Sequence, residues 1–152
     1  MIPYRTFYNT HTTVCDPIQF NIPVNSHHLS STIYPSIHHS GKTTLLSVLA
    51  HGEAIETVPT IGLNVKVFTK GAVNMKCWDI GGQAQYRSEW SRYSTGCDVV
   101  LYAVDAAAPQ IFATANKDLH KFVDDGSSGD TPLLLLANKS DLQPHVGETG
   151  LM

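Results

Sequence analysis

Charge is scarce in this chain. Of its 152 residues, 15% are Asp, Glu, Lys or Arg, against about a quarter in an ordinary globular domain. Ten basic residues stand against thirteen acidic ones, for a net charge of −3. The chain therefore lacks the basic face that nucleic-acid binding needs and the polybasic cluster that holds a protein to an anionic membrane. Cysteine is sparse as well. Cys15, Cys77 and Cys97 are widely spaced and odd in number, which yields no disulfide framework and no C-x-x-C zinc knuckle, and points to a reducing compartment. Long apolar runs are missing: Val99 to Val104 and Leu133 to Ala137 are far too short to span a bilayer. The start leads into Thr, Asn and His rather than an apolar stretch, Ile2 stands where myristoylation needs glycine, and the end carries no prenylation box.

What is present is enough apolar sequence, 42%, to bury one core, in a length that suits one domain. Composition shifts near residue 40. The first forty residues hold Arg5 and Asp16 as their only charges, five of the eight histidines, and Pro3, Pro17, Pro23 and Pro35. No helical or strand period runs through them, so residues 1–35 read as an irregular or disordered extension and residues 36–152 as the domain. The pairs His27-His28 and His38-His39 lack a Cys or acidic partner at ligand spacing, which argues against a metal site.

From Gly41 onward helices and strands alternate. Lys42 to His51 has Leu45, Val48 and Leu49 on one helical face, and Gly52 stops it. Gly62 to Thr69 alternates, with Leu63, Val65 and Val67 on one side, and Val73 to Trp78 alternates again after a Lys70-Gly71 turn. These two strands read as an antiparallel hairpin. A short helix is expected between Ala84 and Tyr93. Asp98 to Asp105 reads as a strand buried on both faces. Pro109 suits a helix start, and Leu119, Phe122 and Val123 share a face of the helix that follows. Pro132 to Ala137 reads as a second buried strand. The order predicts an α/β domain, a mostly parallel sheet with helices on both faces.

Three motifs fall at strand ends or helix starts, where an open α/β sheet binds ligands. The first is Ser40-Gly41-Lys42-Thr43-Thr44. Gly41 lets backbone N–H groups approach phosphate oxygens, Lys42 neutralises β- and γ-phosphates, Thr43 offers a hydroxyl to Mg²⁺, and the helix N-terminus adds its positive end. The full pattern, G-x-x-x-x-G-K-[ST], would place its first glycine at Ser36 and would draw His38 and His39 into the loop. A glycine-only conformation at Ser36 would cost about 1–3 kcal/mol. Pro35 also interrupts Ser30 to Tyr34, the short strand that would feed the loop. The second motif is Trp78-Asp79-Ile80-Gly81-Gly82-Gln83. Asp79 can hold Mg²⁺ through water, Gly82 can present its N–H to a γ-phosphate, and Gln83 can orient an attacking water. The third is Asn138-Lys139-Ser140-Asp141, whose Asp141 carboxylate can accept two hydrogen bonds from guanine and would be left unpaired by adenine. Each motif alone is also an ordinary capped helix or turn; their order and placement together point to a guanine-nucleotide site.

With these motifs the sequence resembles the Ras-like small GTPases, and within them the ADP-ribosylation-factor (Arf) and Arf-like family. Pro59-Thr60-Ile61-Gly62 looks like the family's first switch and Trp78 to Gln83 its second, with the doubled glycine an Arf trait. Arg87 to Tyr93, Val104-Asp105-Ala106-Ala107 and His39 to Thr44 look most like the lysosomal Arf-like branch. The resemblance covers about residues 36–142 and implies a P-loop, three-layer α/β/α fold with one antiparallel interswitch strand. It implies GTP or GDP with Mg²⁺ held by Thr43, Thr60 and Asp79. It also implies slow GTP hydrolysis with Lys42 and Gln83 as catalytic groups, since no in-cis arginine finger is evident. Activating proteins, exchange factors and effectors would be the partners. The interswitch, residues 62–78, would change register against the sheet, and Phe68, Trp78 and Tyr93 would belong to the effector surface, whereas Trp90 reads as packing. The place implied is the cytoplasm, peripheral to endolysosomal or other intracellular membranes, in vesicle trafficking.

The chain departs from the family at both ends. Eleven residues follow Asp141, where the family continues with a helix, a strand, a further guanine-binding loop and a final helix. The fold is expected to be incomplete there and to bare an apolar sheet face of several hundred Å². Residues 1–35 carry no amphipathic helix, which speaks against membrane recruitment through that end. The alternative reading is a non-hydrolysing interaction module or fragment that keeps the interswitch surface and binds nucleotide weakly.

Overall fold

The computed structural model of the chain describes residues 8–9, 29–34, 36, 39–126 and 131–142. Helix α1 spans Lys42–His51 and ends at Gly52, whose N–H donates to the Val48 carbonyl. Strands β3 (Leu63–Lys70) and β4 (Val73–Ile80) form the expected hairpin, paired from Leu63↔Ile80 to Lys70↔Val73. A 3₁₀ turn over Ala84–Glu89 runs into the short helix α2, Trp90–Ser94. Strand β5 (Val99–Asp105) is buried at every position. A turn at Pro109–Ile111 opens α3, Phe112–Asp124, and β6 covers Leu133–Asn138.

Two strands lie in the segment read from sequence as irregular. Leu29–Tyr34 forms β2 and Tyr8–Asn9 forms β1. The sheet order is β1-β6-β5-β2-β4-β3, so β2 is a central strand, parallel to β4 on one side and to β5 on the other. This corrects the boundary at residue 35, because the sheet begins before it. Leu29-Ser30-Ser31-Thr32-Ile33-Tyr34 carries no apolar alternation, and its strand state rests on ladders made to both neighbours. β1 pairs with β6 through Tyr8↔Leu136 and Asn9↔Ala137. Every neighbouring pair is parallel except β3 with β4. The expected α/β class, with one antiparallel strand, is therefore the observed one.

Two apolar layers cover the sheet. On one face α1 sets Leu46 against Met75, Cys77, Leu101, Ala103, Leu134 and Leu136, with Leu45, Leu49 and Phe68 around them. Leu46 is the fully buried apolar residue of this helix, one position from the face expected at Leu45, Val48 and Leu49. On the other face α2 and α3 set Trp90, Ala115 and Phe122 against Val100, Tyr102, Val104 and Leu133. Leu119 and Val123 pack beside Phe122 as their spacing implies. The bare face expected from the missing elements is not found at Leu101, Leu134 and Leu136, which are 1%, 9% and 2% exposed within the α1 layer.

The hairpin reverses a second expectation. Val65 and Val67 point to solvent, 43% and 65% exposed, across from Trp78 and Lys76. Phe68 lies on the opposite pleat and packs in the α1 layer, while Trp78 and Tyr93 pack on the α2/α3 side. Phe68 therefore does not share a surface with Trp78 and Tyr93. One residue of offset along a strand changes the face.

Trp90 is 2% exposed and meets Tyr102 and Phe122 edge to face, with ring centroids 6.0 and 6.3 Å apart. Trp90→Ala is expected to destabilise the fold by about 3–5 kcal/mol in urea unfolding. Val67→Thr, on the open face of the hairpin, should stay within about 0.5 kcal/mol of the parent.

Candidate functional site

The N-terminus of α1, the segment 57–60 and the ends of β4 and β6 meet in a cleft of about 290 Å³, near the lower end of the roughly 300–1,000 Å³ usual for ligand sites. Its walls include His39, Ser40, Gly41, Lys42, Thr43 and Thr44 from the loop and first turn, then Thr57, Thr60, Gly82 and Lys139. His39 and Gly41 take left-handed backbone angles, φ 64° and 79°, which turn the loop tightly enough to aim its N–H groups inward. A side chain at Gly41 would put its Cβ 2.4 Å from Asn138 Nδ2, so glycine is required there for space as well as for φ. Ser36 stands at the position of the expected first glycine. It is fully buried, its hydroxyl bonding Ser40 Oγ at 2.9 Å and touching the Ala103 carbonyl. His38 lies outside the described residues.

Asp79 ends β4 with its carboxylate fully buried. Thr43 Oγ1 donates to Asp79 Oδ2 at 2.6 Å, Thr60 Oγ1 reaches the same oxygen at 3.1 Å, and the two hydroxyls are 2.8 Å apart. Asp79 Oδ1 is buried and has no hydrogen-bond partner among the described residues. Two hydroxyls and a carboxylate make the hard oxygen set that Mg²⁺ selects. Neighbouring oxygens on an octahedron with bonds of about 2.0–2.1 Å lie about 2.9 Å apart, which the Thr43–Thr60 separation matches. The orphaned Oδ1 is a polar atom that a hydrated cation would satisfy. The residues present therefore fit the metal.

The segment 57–60 is pinned at a second point by Thr57, whose Oγ1 lies 2.8 Å from Thr44 Oγ1. Beyond Asp79, the Gly81 N–H donates to the Gly62 carbonyl at 2.8 Å. A Cβ on Gly81 would sit 2.7 Å from the Thr60 carbonyl oxygen and 2.6 Å from the Tyr86 ring. Gly81 is thus what lets residues 60–62 close over the strand end.

Charge in the cleft comes from Lys42 and Lys139. Lys42 is 6% exposed, and its ammonium faces the Ser36 carbonyl at 3.5 Å and Ser40 Oγ at 3.4 Å. Burial pulls its pKa from 10.5 down to about 8, with the Asp79 charge pulling the other way. On the far wall Asn138 Nδ2 donates to the Ser40 carbonyl at 2.7 Å, tying the end of β6 to the loop.

Of the residues singled out in the sequence, Ser40 to Thr44, His39, Thr60, Asp79, Gly82, Asn138 and Lys139 line this cleft or bond to the groups that line it. Gln83 lies one residue beyond Gly82, half-buried at the start of the 3₁₀ turn. Asp141 lies exposed, two residues beyond Lys139. These two are not brought into the wall. Sequence reading missed Thr57 and gave Asp105 no role; each is joined to the cleft by a contact with a residue distant in the chain.

A model of the ADP-ribosylation factor family matches residues 33–151. ADP-ribosylation factor-like protein 8b of Arabidopsis thaliana is 41% identical over 106 residues, which are 69% of this chain and 58% of that protein. The chain thus spans a little over half the length of that relative. Among solved structures, the Arl6 BBS3 small GTPase from Trypanosoma brucei with bound nucleotide analogue GppNp superposes with a TM-score of 0.74 at 24% identity, covering 82% of this chain and 75% of that one. The mammalian SRP receptor gives 0.72 at 20% identity, covering 80% and 68%. At such identities the two structures speak for the fold alone.

Lys42 sets a pH dependence. Unfolded, it holds its proton to about pH 10.5, and folded without nucleotide only to about pH 8. Between those values the unfolded state binds more protons, so stability rises with pH; below about pH 8 the burial cost is felt in full. Lys42→Met should therefore melt higher than the parent at pH 7 without nucleotide, by the equivalent of at most roughly 3 kcal/mol. That gap should close as the pH is raised through the window, read by thermal melts of both proteins.

Proposed function

The chain belongs to the ADP-ribosylation factor family, and from that premise we propose that it is a Mg²⁺-dependent guanine-nucleotide switch that hydrolyses GTP slowly. The observation that carries this reading is the meeting of Thr43, Thr60 and Asp79 around one carboxylate oxygen. It supports reading the segment 57–60 as a first switch lying on a phosphate cradle, where a γ-phosphate and its metal would hold it. Lys42 binds the β- and γ-phosphates from inside the loop. Thr43 and Thr60 offer their hydroxyls to the metal, and Asp79 acts on it through water. When bound, Mg²⁺ neutralises charge that develops on the phosphate oxygens. Gly82 presents its N–H to the γ-phosphate, and Gln83 orients the water that attacks it. Asn138 braces the cradle, and Asp141 selects guanine through the base's paired donors.

Both described arginines are engaged elsewhere, Arg87 with Asp118 at 2.5 Å and Arg92 with Glu89 at 3.7 Å. With no arginine among the described residues brought to the site in cis, the reading favours slow turnover and reliance on an activating protein. Exchange factors and effectors are the other partners in this reading. Leu63, Trp78 and Tyr93, half-buried together beside the α2/α3 layer, give effectors an apolar surface. The resemblance to the lysosomal branch supports a role in membrane trafficking.

The test is binding of fluorescent GDP and GTP to the full chain with Mg²⁺. We expect submicromolar affinity for both, and a loss of about a hundredfold or more in Asp141→Asn, which removes an acceptor the guanine donors need. Gln83→Leu should leave affinity unchanged and lower single-turnover hydrolysis by about tenfold or more. Absent binding by a folded chain would refute the reading.

A further inference from the structure

Beside the cleft, bonded to one of its wall residues, lies a carboxylate that none of the roles above uses. Asp105 ends β5, and its register partner on β6 is Asn138. Its Oδ2 accepts from Lys139 Nζ at 2.6 Å, and its Oδ1 accepts the Ala107 N–H at 3.0 Å, so both oxygens are committed. The pair is well sheltered, with Asp105 and Lys139 side chains 11% and 33% exposed. Lys139 has a left-handed backbone, φ 61°, a conformation an unbranched non-glycine side chain holds only when its surroundings impose it. The backbone bond from Leu142 N–H to the Lys139 carbonyl, 3.1 Å, fixes one side of that turn. The ion pair with Asp105 fixes the other.

The consequence reaches the nucleotide. Lys139 lines the cleft, and its Cε would lie 3.8 Å from a Cβ on Gly41, so its aliphatic stem runs along the cradle. Its charge is spent on Asp105. What Lys139 presents inward is therefore a flat methylene wall. Without the carboxylate the ammonium would seek water, and the stem would leave the wall.

We propose that Asp105 is a positioning residue for nucleotide retention: by holding Lys139 in its left-handed place it keeps one wall of the cleft closed against the bound nucleotide. This rests on the guanine-nucleotide reading above, and the experiment separates the two. The full chain is loaded with mant-GDP and Mg²⁺ and chased with excess GDP, and the release rate is read by stopped-flow fluorescence. The proteins are the parent, Asp105→Asn, Lys139→Met and the double variant. Asp105→Asn keeps an acceptor for the Ala107 N–H while removing the charge, and Lys139→Met keeps the unbranched stem. Each single change should speed release about tenfold. The double variant should be no faster than the faster single one, because both changes break one interaction. Melting temperatures of the nucleotide-free variants should match the parent. Unchanged release in either single variant, effects that multiply in the double, or an Asp105→Asn chain that does not fold would each overturn the proposal while leaving the guanine reading intact. A folded parent that binds no mant-GDP would overturn both.

Discussion

A carboxylate buried away from water must find partners, and in this fold Asp79 finds them on two other segments. Its strand, β4, is held in register by β2, from Leu29↔Asn74 to Tyr34↔Asp79. That ladder decides where Asp79 ends. The two hydroxyls that meet it come from the first turn of α1 and from the loop before β3. Each is a neutral donor, and the carboxylate's other oxygen has no hydrogen-bond partner among the described residues. Buried charges of that kind are expensive unless something positive completes them. The same logic applies with opposite sign to Lys42, whose ammonium is sheltered behind the loop and pulled well below its ordinary pKa. The cleft thus holds a buried carboxylate and a buried ammonium, and a metal with a polyphosphate would lower the cost of sheltering both. The free chain carries a cost that the ligand removes, so binding and stability are linked.

The second constraint is that the cleft has no single owner. The loop before α1, the segment 57–60, β4 and β6 each contribute to the walls, and the contacts between them are short polar ones: Thr44 to Thr57 at 2.8 Å, Asn138 to Ser40 at 2.7 Å, Gly81 to Gly62 at 2.8 Å. Such contacts tolerate little bulk. Gly41 and Gly81 are the places where a methyl group would collide with Asn138, Thr60 or Tyr86. Ser36, by contrast, brings a hydroxyl that the loop absorbs by bonding it to Ser40. The substitution that looked most damaging in the sequence is thus an accommodated one, and the left-handed turn is carried by His39 and Gly41.

Legibility followed the range of the interactions. Helix α1, the hairpin, β5, α3 and β6 could be read to within a residue or two, because each has its own period and its own stop signal. β2 could not. Its Ser-Ser-Thr centre has no apolar pattern, and its strand state depends on β4 and β5 on either side. The burial direction of β3 was equally hidden: alternation tells that Val65 and Val67 share a face with Trp78, but not which face α1 will cover. In the site, the groups carried by a motif were legible, since a motif is a local pattern. Thr57 and Asp105 were not, because they act on Thr44 and Lys139, thirteen and thirty-four positions away.

Period-two geometry also joins the cleft to the outer surface. Asp79 and Trp78 are adjacent on β4 and point to opposite faces of the sheet, one into the site and the other outward beside Tyr93, with Lys76 stacked 4.7 Å above its ring. Among the described residues β3 is an edge strand paired only with β4. A shift of β4 against β2 by one residue would turn Asp79 out of the cleft; a shift by two would keep its face and carry it about 6–7 Å along the strand. Either would break the contacts with Thr43 and Thr60 and displace Trp78 by the same distance. Because Asp79 and Trp78 share one strand, any such shift would couple the Asp79 cluster to the outer face directly. Whatever stabilises the cluster of three oxygens also fixes the position at which Val65, Val67 and Trp78 meet solvent.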